Sequence, residues 1–419
     1  MGGAVLWNGV NGTLNDCIFI NNVANYGGGA YWNGANGVVI NSTFTNNTVN
    51  NTGGGLRWDG ANGVVINSTF TDNTAKEGAG IRWFADNGTV TNSTFINNVA
   101  GYGAGVRWEG VNGVLTDCNF VGNYAKTWGG SVVWVGYNGT LTTSTFINNK
   151  ATENGGAVRW YSNKGLLSAC NFINNTANYG AAVYWYTDDG IISNSNFINN
   201  RATISGGGIF WADGNAVLSE STFTNNTATN YGGAIYWNGA NGIIYDSSFI
   251  NNSAIVGSGG SILWRGNYGS LINSTFDNNL AKTYGGSIWW GGICGTVSSC
   301  NFTNNNANQG GSIIWDIAGV NATIIDSNFI NNSANDAGAI FCGAASSTIT
   351  GCNFINNKAI SNAGAIYFTS KAINNIINDS NFTGNNAKHG GAICCYGANS
   401  NIFNCNFKYN NAIQGDNVY

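Results

Sequence analysis

One phrase constrains this chain more than any other: Phe-x-x-Asn, repeated sixteen times at intervals of 25 to 28 residues. Its asparagines are Asn22, Asn47, Asn73, Asn98, Asn123, Asn149, Asn175, Asn200, Asn226, Asn252, Asn279, Asn305, Asn332, Asn357, Asn385 and Asn410. A fixed period in this range marks a repeat architecture, in which each unit buries its apolar face only by stacking on the next. A chain of 419 residues would ordinarily suggest two or three domains. A solenoid lengthens without a new core, so residues 1–419 are expected to form a single domain.

Residues 27–52 show one turn of the repeat. Gly-Gly-Gly-Ala-Tyr-Trp leads to Asn-Gly-Ala-Asn-Gly, then Val-Val-Ile-Asn, then Ser-Thr-Phe-Thr-Asn-Asn. Trp closes the first segment in thirteen successive turns, from Trp7 to Trp315; Cys342, Phe368 and Cys395 take the place in the last three. The residue two before Trp is almost always aliphatic, as in Leu56, Ile81 and Val106. Side chains alternate along a strand, so both columns face inward. An aliphatic residue five before Phe, Ser or Cys two before it, and Phe itself follow the same alternation. Asn-Gly pairs such as Asn36-Gly37 tolerate positive φ and read as corners. Three short strands per turn, separated by bends, describe an all-β, right-handed parallel β-helix of about sixteen turns. The Trp-to-Phe arc is 12 residues in 14 of the 16 turns; the length varies after Phe-x-x-Asn-x-Ala, where the loops belong. The asparagine column is expected to be structural: an amide is both donor and acceptor, and identical ones bond to each other up a stack.

Composition agrees with this. There are 62 Gly and no Pro, and Pro has no place in strands that are nearly all central. Only 8% of residues are charged and the net charge is −4, so the basic stripe of a nucleic-acid binder is missing. No apolar run approaches the length of a membrane span. The sequence opens and closes within a repeat and shows no leader or caps, which suggests a piece of a longer protein, or one whose caps are missing.

Few residues suggest chemistry. Six of the ten cysteines occupy the Ser/Cys column, never in adjacent turns, so they read as buried free thiols; a bridge to Cys294 stays open. The single histidine, His389, has no companion ligands, and neither a metal nor a cofactor is implied. Asp59 and Glu109 stand two turns apart with Phe84 between them, and Glu220 and Asp246 stand in adjacent turns. Both pairs read as turn residues rather than as the two carboxylates of a glycosidase. Asp188-Asp189 falls short of a calcium cage. The column just before Trp is more telling: Tyr31, Arg57, Arg82, Arg107, Arg159, Tyr184 and Tyr236 form an outward strip of rings and guanidinium groups, expected to face solvent. Such faces stack on sugar rings and fork onto carboxylates; they also simply shield a sheet. An outer threonine row, Thr43, Thr69 and Thr94, is interrupted by Asn119, which counts against ice binding.

The paired signature Gly232-Gly233-Ala234-Ile235 and Phe249-Ile250-Asn251-Asn252 resembles the repeat of polymorphic outer membrane proteins and of adhesin-like surface proteins, including those of methanogenic archaea. The resemblance implies a secreted, cell-surface passenger or stalk, with glycans or partner-cell surface molecules as its partners. The readings carried forward are therefore a surface adhesin or stalk with a glycan-binding strip, a polysaccharide lyase or hydrolase of the β-helix type, and a protein that stacks end to end into fibres.

Overall fold

A computed structural model describes residues 2–415. Its contacts divide the chain into two units, Met1–Thr203 with Gly207–Ala212, and Ile204–Gly206 with Asp213–Tyr419. Both repeat the same turn, eight times each and sixteen in all. Every regular element among the described residues is a strand.

The turn that begins at Leu56 is typical. Its strands are Leu56–Trp58, Val64–Ile66 and Thr69–Thr71. Each pairs in parallel with the equivalent strand of the next turn, without slippage: Leu56 with Ile81, Val65 with Val90, Phe70 with Phe95. The strands stay this short because the backbone enters the left-handed region four times per turn, here at Asn62, Asn67, Asp72 and Gly78, with φ from 48° to 57°. Asn, Asp and Gly are the residues that enter it most readily. The corners pair as well: the Asn62 N–H donates to the Asp86 carbonyl at 3.0 Å, so the bends leave few backbone groups orphaned.

Register turns sequence columns into physical stacks. From Trp7 to Trp185 successive indoles lie 4.7–5.0 Å apart and within 6° of parallel. The phenylalanines of Phe-x-x-Asn stack at 4.6–5.0 Å in both units. The asparagine column is fully bonded. Asn98 Nδ2 donates to Asn123 Oδ1 at 3.0 Å and to the Phe70 carbonyl at 2.9 Å. Its Oδ1 accepts from the Asn73 backbone N–H at 3.1 Å and from Asn73 Nδ2 at 3.0 Å. The buried amide thus uses its two donors and both lone pairs, which is why no other residue type serves at this position.

The Ser/Cys column forms a second ladder. Ser68 Oγ accepts from the Ser42 N–H at 3.2 Å and donates to the Ile66 carbonyl at 2.8 Å. Cys118 keeps the second bond, its thiol donating to the Thr116 carbonyl at 3.1 Å. All ten cysteines are free, Cys294 included; it occupies a left-handed corner.

Candidate functional site

The column before Trp does lie on the outer face of the first sheet, yet much of it is hidden from water. Arg82 is 3% exposed, Arg159 5% and Tyr31 9%. Arg57, Arg107, Tyr184 and Tyr236 are half-buried. The expectation of a solvent-facing strip therefore needs correction, and the reason is non-local. Two flanking columns fold over it. One consists of residues two beyond it, such as Asp59, Phe84, Glu109, Val135, Tyr161 and Tyr186. The other comes from the end of the preceding loop, where Thr52, Glu77 and Tyr102 align in one ladder and Trp128, Asn154 and Tyr179 continue the position.

In the first unit these three columns form an ion-paired and ring-stacked layer. Arg57 forks onto Asp59, with Nε and Nη2 at 3.0 and 2.9 Å from its oxygens, and the Tyr31 hydroxyl donates to the same carboxylate at 2.7 Å. Burial and that hydrogen bond push the Tyr31 hydroxyl above its ordinary value. Phe84 lies between two guanidinium groups, 4.6 Å from Arg57 and 3.8 Å from Arg82. Arg82 and Arg107 share Glu77 and Glu109. Burial lowers the Arg82 value, opposed chiefly by Glu109. Asp59 and Glu109 are thus spent as counter-charges rather than set as a pair facing a substrate. Glu220 and Asp246 occupy left-handed corners, as does Asp189. Among the described residues no three of His, Cys, Asp and Glu gather as metal ligands, and no helix is long and apolar enough to cross a membrane.

The layer is broken once in this unit. Val133 stands between Arg107 and Arg159 of the neighbouring turns, and Val135 between Glu109 and Tyr161; the missing bulk leaves a cavity of about 420 Å³. Its floor is the two valines, its walls are Tyr102, Trp128 and Tyr161, and Arg107 completes the lining. The rings are held in place. Tyr102 and Trp128 are 5.0 Å apart at 51°, and the Trp128 Nε1–H donates to Glu153 at 2.7 Å. Burial pushes the Tyr161 hydroxyl up to about 12, with the Arg159 charge acting against it. Arg159 lies behind the wall, 4.0 Å from the Trp128 ring and 4.2 Å from Tyr161. Sequence reasoning found Arg107 and Arg159 but not the rings around them. Tyr102 and Trp128 sit on the arc of variable length, and Tyr161 comes directly after the Val158–Trp160 strand, ahead of the corner at Lys164. The one legible signal was Val133 itself, a small residue interrupting a column of large ones.

The second unit carries an aromatic hollow of about 420 Å³ on its own first sheet, lined among others by Tyr284, Trp289, Ile314, Phe341 and Lys371. Gly291 makes room for it: the Trp289 indole lies so close over it that a Cβ there would meet the ring at 2.5 Å.

The family model described as right handed beta helix region matches residues 2–143 and 79–254. The Chlamydia polymorphic membrane protein repeat matches residues 379–396. No curated protein matches the sequence. Among solved structures the chain is similar to a mutant tailspike protein of E. coli bacteriophage HK620 in complex with hexasaccharide, with 12% identity and a TM-score of 0.41, covering 91% of this chain and 73% of that one. A second structure of a mutant of that tailspike matches with 11% identity and a TM-score of 0.29 over the same shares.

Proposed function

Because this chain belongs to the right-handed β-helix family, we propose that it is a cell-surface or extracellular adhesin-like stalk that binds glycan in the notch floored by Val133 and Val135. One observation carries the reading: a cavity of about 420 Å³ walled by three aromatic rings and edged by a guanidinium. A pyranose ring has one face of C–H bonds that packs on an aromatic ring, and hydroxyl groups at its edge that accept from Arg. The side chains first suspected, Tyr31, Arg57, Arg82 and Arg159, hold and orient this layer; Tyr102, Arg107, Trp128 and Tyr161 make the contact. Ladder bonding in every turn supplies the stiffness a stalk needs.

The test is a glycan array probed with wild type, Trp128→Ala and Val133→Phe. The first variant removes a wall and the second fills the floor, while neither touches the asparagine or indole stacks. Binding by wild type, weakened about tenfold or more in both variants, is the expected result. Undiminished binding by both would remove the notch from consideration. Turnover of any bound polysaccharide, read as new reducing ends or unsaturated products, would replace the adhesin reading with the lyase or hydrolase one.

A further inference from the structure

Among the four arginines of the outer column, one makes no close ion pair, and Glu153 acts on it only at longer range. Arg57 has Asp59, and Arg82 and Arg107 have Glu77 and Glu109. Arg159 makes no ion pair among the described residues. In its turn Tyr161 holds the place that Glu109 holds for Arg107, and Asn154 holds the place of Glu77. The nearby Glu153 is bonded to the Trp128 indole. Yet Arg159 is 5% exposed, and its Nε is buried without a hydrogen-bond partner. Stacking on Trp128, Tyr161 and Tyr184, at 4.0, 4.2 and 5.0 Å, compensates in part for lost hydration. It supplies no negative charge. A cation held this way is screened less than one at the open surface, so its field reaches further.

That field emerges at the notch, because two rings of the Arg159 stack are two of its walls. From the other side Arg107 lines the cavity directly, and its Nε also lacks a partner. A cationic ligand would face both charges, and a neutral one would leave Arg159 without a close anionic partner.

We propose that the glycan taken by this notch is acidic: its ring stacks on Trp128 and Tyr161, and its carboxylate lies between the contact with Arg107 and the field of Arg159. This rests on the glycan reading above and narrows it to uronic-acid sugars.

The experiment titrates galacturonate, glucuronate and mannuronate tetramers, each beside its carboxyl-reduced neutral counterpart, into wild type and Arg159→Gln, with tryptophan fluorescence and calorimetry as readouts. Arg159→Gln removes the charge and keeps a polar amide, and circular dichroism checks that the fold survives. At least one acidic tetramer is expected to bind about tenfold more tightly than its neutral form. That preference should weaken as salt rises and should shrink in Arg159→Gln, with acidic binding falling severalfold more than neutral binding. A purely structural role for Arg159 would weaken both forms alike and would overturn the assignment. Equal binding of acidic and neutral tetramers by wild type would overturn the acidic inference and leave the glycan reading standing. Failure of every tetramer to bind, together with a blank glycan array, would overturn the glycan reading itself.

Discussion

A residue in this protein is judged by what its neighbours one turn away require of it. Asn98 shows the rule. It satisfies one carbonyl of the preceding turn, one amide and one N–H below, and one amide above, all buried. Asn98→Ala would leave the Asn73 donors unpaired and take the side-chain donor from the Phe70 carbonyl. Each buried group left unpaired costs about 1–3 kcal/mol, so a loss of roughly 3 kcal/mol or more is expected in denaturant titration. Asn98→Asp should be no milder, since a carboxylate keeps the acceptors, loses both donors and buries a charge. A loss below about 1 kcal/mol for either would mean that the column is not stabilising. The outer arginines follow the same logic with different weights. Arg57→Ala and Arg82→Ala remove the same group, but Arg82 is nearly sealed and serves two glutamates, whereas Arg57 is half-buried and serves one aspartate. Breaking a buried pair costs about 3–5 kcal/mol and an exposed pair about 1 or less. Arg82→Ala should therefore lower the unfolding midpoint distinctly more than Arg57→Ala; equal shifts would deny the difference in burial any energetic weight.

At the scale of the element, the Trp strand and the corner after it behave as one part. The indole of Trp83 lies on Gly88, where a Cβ would meet ring atoms at 2.3 Å. The same contact recurs at Gly12, Gly37, Gly63, Gly113, Gly139, Gly165 and Gly190 in the first unit. Ala216 and Ala322 hold the glycine's place in the turns of Trp211 and Trp315, and the turns that carry Cys342, Phe368 and Cys395 in place of Trp lack the glycine as well. Ser347, Asn375 and Ser400 stand there instead and bond to one another: the Ser347 N–H donates to Asn375 Oδ1 at 2.8 Å and the Asn375 N–H to Ser400 Oγ at 3.4 Å. A polar ladder thus replaces the glycine edge once the indole no longer covers it. Gly88→Ala should cost about 1–3 kcal/mol by overpacking. Paired with Trp83→Phe it should cost less than the sum of the single changes, and strict additivity in that double-mutant cycle would refute the coupling. These columns explain how far the sequence could be read. Inward stacks were legible because strand alternation and an exact repeat project every buried side chain onto the same position, as Phe70 and Phe95 show. The burial of Arg82 and the notch at Val133 were not. They depend on Phe84, Glu109, Tyr102 and Tyr161, which flank the column from its own and neighbouring turns at positions where the residue type changes from turn to turn.

On the whole molecule, charge is scarce and concentrated: four of the six arginines lie in one outer column of the first unit. The core titrates through thiols instead. Burial pushes Cys118, Cys170, Cys300 and Cys352 up to about 12, and Cys342 and Cys394 up to about 11. An unfolded thiol ionises near 8.5. Below that pH both states hold the proton and the thiols contribute no pH dependence. Above it the unfolded chain binds fewer protons than the native one, so stability falls as pH rises, until the folded thiols ionise in turn. The slope is roughly 1 kcal/mol per thiol per pH unit, which makes reduced protein markedly easier to unfold at pH 10 than at pH 7.5. Serine is the natural alternative in this column, as at Ser327, between the turns of Cys300 and Cys352, where its hydroxyl donates to the Ile325 carbonyl at 2.8 Å. Cys300→Ser with Cys352→Ser should therefore fold, match wild type near neutral pH to within about 1 kcal/mol, and resist alkali better. Urea midpoints across pH 7.5 to 10.5 in reducing buffer provide the measurement. If the double variant loses stability with pH as steeply as wild type, the thiols are not what the alkaline limb reports.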